Sequence, residues 1–102
     1  MNIKITKKED LTVIAISGEI DMYSSPDLRE KIMSLIKLRV QALSVDFQKV
    51  SYIDSSGIAT FVEGLKGMKT YGGRLRFFNI PEAIMEIFRF SKLDKVFDIS
   101  NE

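Results

Sequence analysis

The sequence predicts an α/β fold, and three observations carry the prediction. Strand-like apolar runs alternate with helix-like stripes along the 102 residues. Two of those stripes, Leu28-Ile32-Leu35-Ile36 and Ile80-Ile84-Ile87-Phe88, repeat the i, i+4, i+7, i+8 spacing that lines one face of a helix. Ser24-Ser25-Pro26 reads as a helix start and Gly72-Gly73 as a helix stop. Strands that alternate with helices imply parallel neighbours joined by helical crossovers.

Each element follows from its own pattern. Ile3 and Ile5 alternate with polar neighbours, as an edge strand does, and Lys7 to Asp10 is a polar turn. Leu11, Val13, Ala15 and Ser17 then alternate with Thr12, Ile14 and Ile16. Both faces of that strand are largely apolar, which places it inside the sheet and makes the pair a β-hairpin. The first helix opens at Ser24-Ser25-Pro26. Ala42 to Phe47 is a short apolar strand, and Val50 to Ile53 is a second extended run leading to the next helix. That helix is expected from about Ser56 to Tyr71, with Ile58, Phe61, Val62, Leu65 and Met68 inward. Arg74 to Ile80 is a strand, Pro81 starts the third helix, and Leu93, Val96, Phe97 and Ile99 finish as a turn and a short last strand. Phe77, Phe78, Phe88 and Phe90 are expected in the core.

Composition excludes more than it selects. Apolar content of 45% and charged content of 28% are ordinary for a globular chain. A net charge of +1 gives no global pull toward nucleic acid or an anionic membrane. No apolar stretch approaches the ~20 residues of a membrane span, and the polar segment Met1 to Asp10 does not read as a signal peptide. With no His and no Cys, thiolate nucleophiles, imidazole bases, disulfides and the usual zinc sites are all absent. A serine nucleophile would need a lysine or carboxylate base, so a hydrolase is not the expectation.

One stretch stands out as chemistry. Asp54-Ser55-Ser56-Gly57 lies where the apolar run Val50, Tyr52, Ile53 hands over to the helical pattern Ile58, Phe61, Val62, Leu65. Two adjacent hydroxyls there sit beside unpaired N–H groups and the positive end of a helix dipole, a place that favours an anion, including a phosphate on the serine itself. Gly18-Glu19-Ile20-Asp21 ends another strand, and if the two strands are adjacent the two acidic loops meet. Structural readings stand beside these: Asp54, Ser55 or Ser56 as a helix cap, Gly57 as a point of close helix–sheet approach, Met22 and Tyr23 as contact or core residues. Gly64 and Gly67 read either as close packing or as a smooth helix face for a partner. Lys66, Lys69, Arg74 and Arg76 make a modest basic cluster, most simply a solvated face. A phosphate or nucleic-acid site there is a weaker reading.

These motifs resemble the STAS domain family in the manner of bacterial anti-sigma factor antagonists. The residues that carry the likeness are Gly18-Glu19-Ile20-Asp21, the serine-centred Asp54-Ser55-Ser56-Gly57 followed by a helix, and Gly72-Gly73 before a strand. It spans the chain, so residues 1–102 are expected to form a single STAS-like domain. The resemblance implies a mixed sheet of four to five strands with helices packed mainly on one side. It also implies a binding module, not an enzyme, with no catalytic residues, metal or cofactor. The phosphorylated residue is the first serine of the motif, Ser55, with Ser56 the secondary hydroxyl. Asp21 and Asp54 are the supporting carboxylates. Gly18, Glu19, Met22, Gly57 and Gly64 supply motif backbone and partner docking.

The implied partners are an anti-sigma factor serine kinase of the histidine-kinase-like ATPase class and a metal-dependent serine phosphatase. No direct nucleic acid contact and no membrane insertion are implied, and the setting is cytoplasmic. One departure opens an alternative. Many sigma-pathway members read Gly-Leu-Gly after the serines, whereas this chain has Gly57-Ile58-Ala59. Continued by Phe61-Val62-Glu63-Gly64-Leu65, that form is also similar to STAS modules that act as regulatory subunits of lipid-transport ABC permease complexes. Members of that group often lack the acceptor serine, which this chain retains.

Overall fold

A turn in which Lys8 N–H donates to the Leu11 carbonyl at 2.7 Å folds strand β1 (Asn2–Lys7) back on β2 (Thr12–Ile20) as an antiparallel hairpin. The computed structural model describes residues 1–100. After the hairpin come α1 (Ser25–Lys37), β3 (Ala42–Ile53), α2 (Ser55–Lys69), β4 (Arg74–Phe78), α3 (Glu82–Phe90) and β5 (Asp98–Ser100). The described strands form one five-stranded sheet in the order β1-β2-β3-β4-β5. Every pairing after the first is parallel, so the sheet is mixed, as expected from the helical crossovers.

Register decides which face each side chain takes. Ile14 lies opposite Val45, and Val45 opposite Phe77, and all three are fully buried. That face meets Leu28, Ile32 and Leu35 of α1, Phe61 and Met68 of α2, and Ile84 and Phe88 of α3 in a single cluster. All three described helices therefore cover the same face. The alternate positions (Val13, Ala15, Ser44, Asp46, Arg76, Phe78) lie on the other face, which no described helix covers. Phe77 is the hub of the core, with ring centroids 4.9 Å from Phe47, 5.0 Å from Phe61 and 4.6 Å from Phe97.

The seam between α1 and α2 explains two glycines. A methyl group at Gly64 would meet Ile32 Cγ2 at 3.1 Å, and one at Gly67 would meet Ile36 Cδ1 at 2.9 Å. The helices approach closely because these positions have no side chain. At the surface of the seam Arg29 forks onto Glu63, with Nε–Oε1 at 2.8 Å and Nη2–Oε2 at 2.6 Å.

Four expectations are corrected. Phe90 is 93% exposed: it falls on the outer side of α3, past the Ile84–Phe88 stripe. Phe78 is half-buried on the helix-free face. The runs Ala42 to Phe47 and Val50 to Ile53 are one unbroken strand, because residues 48–49 stay extended and Lys49 still pairs with Ser17. Helix α2 starts one residue earlier than read, at Ser55, since Asp54 and neither serine is its cap.

Candidate functional site

Strands β2 and β3 are neighbours, so the loops that follow them meet at the same edge. Glu19 pairs with Tyr52, Ile20 with Ile53, and Asp54 N–H donates to the Ile20 carbonyl at 3.1 Å. That bond ties the start of the Asp54-Ser55-Ser56-Gly57 loop to the end of the Gly18-Glu19-Ile20-Asp21 segment. The segment is mostly strand: Gly18 to Ile20 belong to β2, with a register shift between Gly18 and Glu19, and the loop proper starts at Asp21. Gly18 takes φ +96°, and a side chain there would also press on Met1 Cα at 3.3 Å.

Asp54 is the N-cap of α2. Its extended backbone (φ −112°, ψ −173°) turns the carboxylate onto the helix start, where Oδ1 accepts from Ser56 N–H at 2.9 Å and Gly57 N–H at 3.3 Å. Ser55 thereby occupies the first helical position. It is exposed, and its hydroxyl makes no hydrogen bond among the described residues. Ser56 is half-buried, and its carbonyl accepts from the Thr60 hydroxyl at 3.0 Å. The two serines therefore differ in exposure: Ser55 is exposed at the first helical position and Ser56 is half-buried after it. Gly57 is buried, because α2 runs down onto the ends of β2 and β3.

Asp21 is spent on its own loop. Its Oδ1 accepts from Tyr23 N–H at 2.9 Å, Ser24 N–H at 3.0 Å and Ser24 Oγ at 3.2 Å. Ser24 Oγ also donates to the Glu19 carbonyl at 2.8 Å and accepts from Asp21 N–H at 2.9 Å. Ser24 is thus the keystone of the β2–α1 loop and does not cap α1 with its side chain. The Asp21–Ser24 spacing, a side-chain-to-backbone turn pattern, was the available signal for this. The closed network leaves Met22 and Tyr23 outside at 62% and 86% exposure, beside exposed Glu19. Gly64 is buried in the α1–α2 seam against Ile32.

The Ser24 N–H bond is the chief cause that holds the Asp21 carboxyl below its ordinary value, with Tyr23 N–H and the Ser24 hydroxyl adding to it. A depressed carboxyl stabilises the fold above its unfolded pKa of about 3.9, and this is lost as pH falls through the lower folded value. Asp21→Asn keeps an acceptor but cannot titrate. It is expected to flatten the loss of stability below about pH 4 in urea melts. An unchanged acid limb would contradict the role of Asp21 in the loop.

No cluster of metal-ligating side chains occurs among the described residues. No described helix is long and apolar enough to cross a membrane. Two acidic loops, an exposed serine at the first position of α2 and two exposed side chains, Met22 and Tyr23, thus lie at one end of the sheet. A family model for the STAS domain matches residues 2–102.

The chain belongs to the STAS domain family.

Its relatives within the family carry a regulatory name. The anti-sigma-B factor antagonist of Bacillus subtilis is 36% identical over 100 residues, covering 98% of this chain and 91% of the relative. Among solved structures, an anti-sigma factor antagonist from Thermotoga maritima superposes with a TM-score of 0.92 at 15% identity, covering 98% of this chain and 86% of that one. The Bacillus cell fate determinant SpoIIAA in its phosphorylated form gives a TM-score of 0.77 at 22% identity, covering 99% and 93%. At these identities the structural likenesses establish the STAS fold, and the five-stranded mixed sheet with its three described helices agrees with them.

Proposed function

We propose that this STAS domain is an anti-sigma factor antagonist switched by phosphorylation of Ser55. The observation that carries the reading is the exposed, unbonded Ser55 hydroxyl at the first position of α2, beside the loop that holds Met22 and Tyr23 outward. Unphosphorylated, the surface around Ser55, Glu19 and Met22 binds an anti-sigma factor serine kinase of the histidine-kinase-like ATPase class, and sigma factor is released. An antagonist of this kind acts by binding and turns over no substrate. Transfer to Ser55 forms a phosphoester and adds roughly −1.5 to −2 charges next to Asp21 and Asp54. The helix dipole and the neighbouring N–H groups offset that charge within the fold. A partner surface shaped for the neutral serine does not, so docking fails. A metal-dependent serine phosphatase restores the binding form, and the cycle belongs to the cytoplasm.

The relatives named as anti-sigma-B factor antagonists favour this over a permease subunit, as does the retained serine. The test is phosphate transfer by a cognate anti-sigma kinase, read by intact-mass spectrometry. Ser55→Ala is expected to lose the added phosphate, and Ser56→Ala to keep it. A Ser55→Ala protein labelled as fully as the parent would sink the assignment.

A further inference from the structure

The basic residues singled out in the sequence play no part in the Ser55 surface, and the fold separates them. Lys66 and Lys69 ride on α2, whereas Arg74 and Arg76 sit on β4. Leu75 and Phe77 point into the core, so the two arginines face the helix-free side of the sheet. Register lays Ser44 of β3 beside Arg76 on one side and Asp98 of β5 beside it on the other. Ala42 and Ser44 are short and Leu11 rises next to them. The result is a cleft of about 230 Å³ with a small-residue floor and arginines along one wall.

Three features of that cleft call for a ligand. The guanidinium of Arg76 stacks on the Phe78 ring at 5.7 Å, and its Nε is buried with no acceptor, a donor left unmade. Neither arginine joins an ion pair among the described residues, although Asp98 stands opposite Arg76 in register. Ser44 is only 6% exposed, and its hydroxyl has no hydrogen bond among the described residues.

The surroundings match. Strands β2 to β5 begin at this end of the molecule and the helices finish there, which gathers Lys7, Lys8, Arg39, Lys69, Lys92 and Lys95 against Glu9, Asp10, Asp94 and Asp98. Part of that charge complements the helix C-termini. The cleft arginines lie on the other face of the sheet and do not serve that purpose.

We propose that this cleft binds a phosphate group, held by the guanidinium forks of Arg74 and Arg76 with the Ser44 hydroxyl beneath. A planar guanidinium meets two phosphate oxygens at once, and a small turn of the Arg76 fork gives Nε the acceptor it lacks. The Asp98 carboxylate on the rim opposes the anion and keeps affinity modest. The Ser55 surface stands at the opposite end of the strands, so the two sites are separate.

The experiment is a ¹H–¹⁵N titration of the full chain with inorganic phosphate, at ionic strength held constant with sodium chloride. Saturable shifts are expected at the Arg76 Nε–H and at the Ser44, Arg74 and Arg76 amides. Arg74→Gln and Arg76→Gln should each weaken binding by about fivefold or more, and Asp98→Asn should tighten it about threefold. Arg76→Lys keeps the charge and the packed stem but lacks the fork, so it tests the contact even where the glutamine variant unfolds. It should weaken binding as well. Ser55→Ala should bind as the parent does, which separates this result from the phosphorylation switch. O-phosphoserine as a second probe distinguishes sources: tighter binding than inorganic phosphate assigns a phosphomonoester, and equal binding assigns the free ion. Shifts that stay linear, that sodium chloride alone reproduces, or that survive Arg76→Lys would overturn the site.

Discussion

Gly57→Ala is expected to destabilise the domain by about 1 kcal/mol and to lower its Tm by roughly 5 °C. The added methyl would lie 2.6 Å from Ile20 Cγ2 and 2.8 Å from Ile53 Cγ1, distances no carbon pair tolerates. Both isoleucines are buried at the ends of adjacent strands, so neither can swing out of the way. Alanine gains about 1 kcal/mol of helix propensity over glycine, which overpacking of about 1–3 kcal/mol outweighs. A double-mutant cycle isolates the cause. In an Ile20→Ala background the 2.6 Å clash is removed while that with Ile53 remains, and Gly57→Ala should cost at least about 1 kcal/mol less there than in the parent. Thermal melts of the four proteins read the cycle. A Gly57→Ala protein that melts as high as the parent would mean that α2 does not descend onto the sheet as described.

Ser55→Asp has its large effect elsewhere. Binding to an anti-sigma kinase is expected to weaken about 10- to 100-fold, because like charges brought together at an interface cost about 1.4 to 2.8 kcal/mol or more. Stability should move by no more than about 0.5 kcal/mol, since a carboxylate at the first turn of α2 is favoured by the dipole and meets solvent. Calorimetric titration against the kinase and a parallel urea melt give the two numbers. Lost binding with an intact melt is the signature of a docking switch. Lost binding with a collapsed melt would place the effect in the fold, and undiminished binding would remove Ser55 from the interface.

Much of this architecture was legible because local and tertiary demands agree. The stripes Leu28-Ile32-Leu35 and Ile84-Phe88 are helical and face the core, and strict strand alternation at Ile14, Val45 and Phe77 marks the covered face. Phe90 draws a strong burial expectation as a large aromatic, but it lies two residues past buried Phe88, about half a turn round the helix, and so faces out. Residues 48–49 read as a break because Gln48 and Lys49 are polar and exposed, yet Lys49 still pairs with Ser17 and the strand runs on to buried Val50 and Ile53.

At the site, adjacency of the two loops was conditional on strand order, which no local pattern encodes. The roles of Asp21 and Ser24 were hidden for a related reason. Hydroxyls and carboxylates at turns have several equivalent acceptors and donors within reach, and the fold chooses among them. Gly64 shows the opposite case: glycine in a helix signals close approach, and the identity of what approaches, here Ile32, comes only from three dimensions.

The separation of charge between the two ends of the strands has a consequence for encounter. With a formal charge of +1 the molecule is nearly neutral in sum, so simple attraction or repulsion at a distance is weak. Its acidic loops and its lysine- and arginine-rich end nevertheless lie at opposite poles, and such an object feels a torque in a partner's field. Before contact it turns, bringing the Asp21 and Asp54 pole round to a basic target. Its association rate should therefore slow as salt is added, by an amount that its net charge alone would not suggest.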